Sequence, residues 1–133
     1  MENAARSLMA EAIFNAMAPE GWRARSAGTR PAGTPNPRTG PLLAEIGLRL
    51  PPHPPRRLTP RMLRRADRTV TMGCIDTSAC PAVRFPEATV DWGLADPGPL
   101  TDDGFRAVRD RICALVLALR MELRPAPRPR TER

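Results

Sequence analysis

The sequence predicts a single α/β domain built on a parallel sheet. Strand-like segments alternate with helical ones along the chain, the pattern that places parallel strands under crossover helices. Its 133 residues suit one domain with a real core. Apolar residues make up 41 % but never run long enough to span a bilayer. The opening helix carries Glu11 and lacks a cleavable apolar segment, which argues against a signal peptide.

Residues 7–17 place Leu8, Ala12, Ile13, Ala16 and Met17 at helical spacing, and Pro19 and Gly21 end that helix. Residues 22–27 alternate, with Trp22, Ala24 and Ser26 on one side, which predicts a strand. A Gly- and Pro-rich loop follows over 28–37. A short helix is expected to start at Pro41, a residue that fits a first turn, and to run through Ile46 to a stop at Gly47. The proline-rich stretch 50–55 reads as a loop, with His53 exposed and without a role. Thr59 followed by Pro60 predicts a cap and first position for a helix reaching about Ala66. Residues 68–72 read as a buried strand, and 85–90 lead toward another short strand near 90–92. Thr101 caps the last helix, with Asp102 and Asp103 at its positive end and Phe105, Val108, Ile112, Leu115, Val116 and Leu119 forming its apolar stripe.

The net charge of +7 comes from arginine alone, because the chain holds no lysine. Together with abundant Ala, Pro and Gly, this points to a GC-rich coding sequence, so most of the charge carries no functional message. Residues 124–133 hold four arginines, three prolines and one glutamate, and read as a disordered basic tail after a domain spanning 1–123. Aromatic content of 4 % and the lack of a recognition motif argue against nucleic-acid binding. Arg49, Arg56, Arg57, Arg61, Arg64 and Arg65 could steer anions, although a solvated arginine face is the better explanation. Three cysteines without a secretion signal fit a reducing cytoplasm.

Three features carry chemistry. Glu2, Asn3, Ala4, Ala5, Arg6 and Ser7 form a small, polar turn directly before a helix. N–H groups at such a junction bind anions, and Arg6 adds a fork of donors. Asp96, in Ala95-Asp96-Pro97-Gly98, reads by itself as a turn residue. Cys74 and Cys80, separated by five residues in a loop after a strand, form a pair able to close a disulfide or bind a metal. A zinc site needs two more ligands, and only His53 and Cys113 remain, unpaired in sequence. Redox is the better reading of the pair. Cys113 falls in the apolar last helix as a small buried hydrophobe.

These motifs, in this order, are similar to one family. Asn3 to Ser7 with Met9-Ala10-Glu11, Ser26-Ala27-Gly28-Thr29, Leu58-Thr59, Ala66-Asp67, Thr71-Met72-Gly73-Cys74, Cys80-Pro81, Asp91-Trp92 and Asp96-Pro97 resemble the low-molecular-weight tyrosine phosphatases. Within them they resemble the arsenate reductase branch, over residues 1 to about 121. The resemblance implies a small parallel sheet with helices on both faces. It also implies an oxyanion loop of residues 2–7 with Arg6 holding the oxyanion, braced by Asn3 and Ser7. Asp96 would be the general acid, and Trp92 would sit at the rim of the site. Cys74 would attack the nucleophile–arsenic adduct and Cys80 would close a disulfide with it. An external thiol, thioredoxin or mycothiol, would reduce that disulfide, with no bound cofactor or metal and no membrane partner. Arsenate or a phosphate-like oxyanion would be the substrate.

In that family the nucleophilic cysteine stands six residues before the loop arginine, which falls one residue ahead of Met1. The expectation is therefore that the family's first strand and nucleophile are absent from this chain, Met1 being a valine codon read as a start. Arg6, Asp96, Cys74 and Cys80 alone would then be inactive. Two other readings compete: a phosphatase acting on phosphotyrosine or a small ester, and a non-catalytic oxyanion-binding relic. Against the phosphatase, the chain has no tyrosine and follows Asp96-Pro97 with Gly98 and Pro99 rather than aromatic residues.

Overall fold

The computed structural model describes residues 3–73 and 89–124. Within them the order is α1 (Arg6–Met17), α2 (Thr39–Ala44), α3 (Pro60–Arg65), β1 (Thr69–Thr71), β2 (Thr89–Asp91) and α4 (Asp102–Glu122). The α/β class and the parallel pairing agree with the sequence: β1 and β2 pair in parallel, Val70 opposite Val90.

The core lies among α1, α2 and α4. Met9, Ile13, Leu43, Phe105, Ile112 and Val116 are fully buried, and Met72, Trp92 and Leu94 pack against them from the strand side. The stripe expected on α4 is the one buried, with Leu115 and Leu119 at its margin. On α1 the buried face is wider and rotated. Leu8, Met9, Ala10, Glu11, Ile13 and Phe14 are covered while Ala16 is exposed. Gly104 lets α4 start against this core, since a Cβ there would lie 2.9 Å from the Leu100 Cβ.

The helix caps match expectation. Thr59 accepts from Met62 N with Pro60 at the first position, and Thr101 accepts from Gly104 N at 3.2 Å. Helix α2 departs from it, starting at Thr39 and ending at Ala44. Pro41 is tolerated because it stays within the first turn. Ile46 donates its amide to Leu43 O in the tightening turn before Gly47, whose φ is +78°.

The strand expected at 22–27 is not one. That stretch forms no ladder, because side chains take its backbone groups. Asn15 accepts from Ala24 N at 2.7 Å and donates to Ala24 O at 3.1 Å, Glu11 accepts from Ser26 N at 2.7 Å, and Arg56 donates to Ser26 O at 3.0 Å. Just beyond that stretch, Gly28 makes an isolated parallel bridge to Arg57.

Candidate active site

The turn before α1 is fixed by side chains placed for that purpose. Asn3 is buried and takes the left-handed conformation, φ +52°, which asparagine tolerates better than most residues. Its Nδ2 donates to Ser7 Oγ at 2.7 Å and its Oδ1 accepts from Arg56 N at 3.1 Å. Ala4 O accepts from Asn36 N at 2.9 Å and from Thr39 Oγ1 at 3.1 Å. Ala5 occupies the N-cap and supplies no capping side chain. The start of α1 thus presents main-chain donors and the positive end of a 12-residue helix rather than a side-chain acceptor.

Arg6, the first residue of α1, joins the site's separate pieces. Its Nη1 donates to Met72 O at 2.8 Å and to Leu94 O at 2.7 Å. Met72 follows β1, and Leu94 lies two residues before Asp96, so one guanidinium ties both segments to the turn. Gly73 approaches so closely that a Cβ there would sit 3.3 Å from Leu94 O and 3.5 Å from Arg6 Nη1, and its φ of +119° favours glycine. Asp91 shapes the same corner, accepting from Thr71 Oγ1 at 2.6 Å and Gly73 N at 2.7 Å.

Asp96 is exposed and accepts from Gly98 N at 3.0 Å, so it is a turn residue as well as a site candidate. An open cavity of about 1690 Å³ is lined by Asn3, Arg6, Ser26, Thr71, Trp92 and Asp96 among others. Glu2, Cys74 and Cys80 lie outside the described residues; Gly73, beside Arg6, is the last described residue before Cys74. Cys113 is half-buried, and desolvation raises its thiol pKa, away from the reactive thiolate form.

His53 corrects the sequence reading. It is only 17 % exposed in its side chain, with Nε2 2.9 Å from Glu11 Oε2 and Nδ1 2.7 Å from Pro54 O. Glu11, 6 % exposed, also accepts from Ser26 Oγ at 2.8 Å and lies 3.6 Å from Arg56 Nη2. This buried carboxylate gathers three segments behind the loop, and Arg56 leaves the supposed solvated arginine face. The only sequence signal for it was a glutamate among the apolar positions of α1. Sequence reasoning also missed Asn36 and Thr39, for which Asn36-Pro37 before a helix was a turn signal, and Arg38, which had none. Among the described residues no three His, Cys, Asp or Glu side chains come together as a metal site, and no helix is long and apolar enough to cross a membrane.

Comparison with known proteins extends the geometry. An arsenate reductase of Halalkalibacterium halodurans is 32 % identical over 116 residues, covering 83 % of each chain. The crystal structure of an arsenate reductase from Archaeoglobus fulgidus superposes with a TM-score of 0.73 at 33 % identity, covering 90 % of this chain and 93 % of that one. A thioredoxin-dependent arsenate reductase of Corynebacterium glutamicum gives 0.73 at 26 % identity, covering 92 % of this chain and 57 % of that one. Solved arginine and tyrosine phosphatases share the fold, with TM-scores of 0.75 to 0.80. The profile of low molecular weight phosphotyrosine protein phosphatases matches residues 1–126. The chain belongs to that family, whose compared members are arsenate reductases and phosphatases.

Proposed function

We propose that this chain is built for thiol-dependent reduction of arsenate to arsenite in the cytoplasm. The supporting observation is the position of Arg6. Its guanidinium bonds Met72 O and Leu94 O, bringing the oxyanion turn against the segment entering Cys74 and the segment entering Asp96. Likeness to arsenate reductases and the Cys74/Cys80 pair, which hydrolysis does not need, favour reduction over phosphatase chemistry.

On this reading the amides of residues 3–7 and Arg6 hold the arsenate. A thiolate presented at this loop forms an S–As bond, and Asp96 protonates the departing oxygen, which leaves as water. The Cys74 thiolate then attacks the nucleophile's sulfur. The S–As bond breaks with its electron pair passing to arsenic, so arsenic falls from the +5 to the +3 state and leaves as arsenite. Cys80 attacks Cys74, the loop thiolate is released, and the Cys74–Cys80 disulfide is reduced by an external dithiol such as thioredoxin or by mycothiol. The unit that does this spans residues 1–123, with 124–133 an appended basic tail.

The phosphatase reading is favoured by the shared fold and family, and the relic reading by an oxyanion turn whose amides and Arg6 need no thiolate to bind an anion. One comparison separates the three. Residues 1–133, and the same chain extended in frame upstream, are given arsenate with each reductant and, separately, phenyl phosphate. Arsenite release by the extended chain, lost in Cys74→Ser, supports the proposal. Ester hydrolysis without arsenate reduction replaces it with the phosphatase, and inactivity of both chains leaves the relic.

A further inference from the structure

Residues 36–39 brace both halves of the site. Asn36 and Thr39 hold Ala4 O of the oxyanion turn, and Arg38, between them, holds the turn that carries Asp96. Arg38 Nη1 donates to Leu100 O at 2.7 Å and to Asp102 Oδ1 at 3.3 Å. Its Nη2 donates to Pro97 O at 3.1 Å and Gly98 O at 2.8 Å. The guanidinium lies 4.9 Å from the centroid of the fully buried Phe105 ring, and Arg38 N is itself held by Asn36 Oδ1 at 3.0 Å.

Three carbonyls of one four-residue turn therefore converge on one planar cation whose own position is fixed by the core. Asp96 immediately precedes that turn and points its carboxylate back onto Gly98 N. Among the described residues no sheet ladder holds the Asp96 turn; besides its own Leu100 N to Pro97 O bond at 2.9 Å, this fork is what fixes its register. A lysine ammonium could not serve the same carbonyls, because its donors radiate from a single point.

We propose that Arg38 is a positioning residue for Asp96, setting how closely that carboxyl approaches an oxyanion held by Arg6 and the loop. The proposal rests on Asp96 and Arg6 sharing the anion site described above. It requires that removing the arginine disconnect Asp96 from the anion while leaving the fold and the oxyanion turn in place.

The test uses residues 1–133 and sulfate, a tetrahedral anion that does not itself titrate near neutrality. Sulfate affinity is measured between pH 4 and 8 for the wild type, Asp96→Asn, Arg38→Ala and the double variant. An Asp96 carboxylate close to the anion opposes binding once ionised. Asp96→Asn in the wild-type background should therefore tighten sulfate about five- to tenfold at pH 8. In the Arg38→Ala background the same substitution should change affinity less than twofold. Amide exchange at Gly98 and Leu100 should rise about tenfold or more in Arg38→Ala, with Ile13 and Ile112 still protected. Where Arg38→Ala does not fold, Arg38→Lys keeps the stem and charge and carries the same comparison.

An Asp96→Asn effect of equal size with and without Arg38 overturns the positioning role alone. No Asp96→Asn effect at any pH removes Asp96 from the anion site, and the proposal with it. Absence of sulfate binding refutes the Arg6 loop as an oxyanion site and takes both readings down.

Discussion

The helical half of the molecule and the half bearing the candidate site are held by different forces. Between α1, α2 and α4 the cohesion is apolar burial, with Ile13, Leu43, Phe105, Ile112 and Val116 excluded from solvent. Around the site the fixing bonds run from side chains to distant backbone: Arg6 to Met72 and Leu94, Glu11 to Ser26, Arg38 to residues 97, 98 and 100. Apolar burial is tolerant of direction and supplies stability. Hydrogen bonds across tens of residues supply little net stability but fix geometry. The difference teaches where each kind of substitution should be felt.

The largest effect is expected in the helical half. Phe105→Ala removes a fully buried ring and should cost about 3–5 kcal/mol in urea unfolding. Retained stability would mean that α4 does not close the core. Glu11→Ala comes next, at about 2–4 kcal/mol, because it strands Ser26 N and Arg56 beside a buried gap. It should also expose residues 24–26 to proteolysis, whereas a loss confined to α1 would place the carboxylate's role in the helix alone. Arg6→Ala should cost only about 1–2 kcal/mol yet weaken sulfate binding at least about a hundredfold. Loss of stability and binding in equal measure would erase the distinction between the halves.

The smallest effect is electrostatic and confined to the helical surface. Hydrogen bonds from Arg106 and then Arg109 lower the Glu45 pKa from 4.5 to about 2. Its folded value is depressed, so its contribution is present above the unfolded value and is lost as pH falls from about 4.5 toward 2. Glu45 is exposed, so the effect is small; Glu45→Gln should flatten the stability curve in that window, lowering stability slightly at pH 7 and leaving it unchanged near pH 2. A change at pH 7 equal to that at pH 3 would show that packing, not charge, is responsible.

Much of the helical half was legible from sequence because capping and 3.6-residue periodicity are local. Thr59 with Pro60, and Thr101 with Asp102 and Asp103, act within one turn of their own helices, and the α4 stripe repeats over about four turns. The strand at 22–27 misled because alternation describes which side a residue faces. It says nothing about what bonds the backbone, and here Asn15, Glu11 and Arg56 do so from other elements. His53 was unreadable for the same reason, its partner Glu11 lying 42 residues away. On the site side, the resemblance gave Arg6 and Asp96, and the structure gave how they are held. Arg38 carried no signal, since an arginine that reaches residues 97–102 looks in sequence like any other of the chain's arginines.

The relay itself is tested most directly by a single turnover without reductant. The chain extended in frame upstream of Met1, fully reduced, is mixed with excess arsenate, quenched, and analysed for arsenite and for disulfide-linked peptides. The account predicts one arsenite per chain and a disulfide joining Cys74 to Cys80. Arsenite formed while both thiols stay free, or no arsenite from a chain that hydrolyses phenyl phosphate, would contradict it.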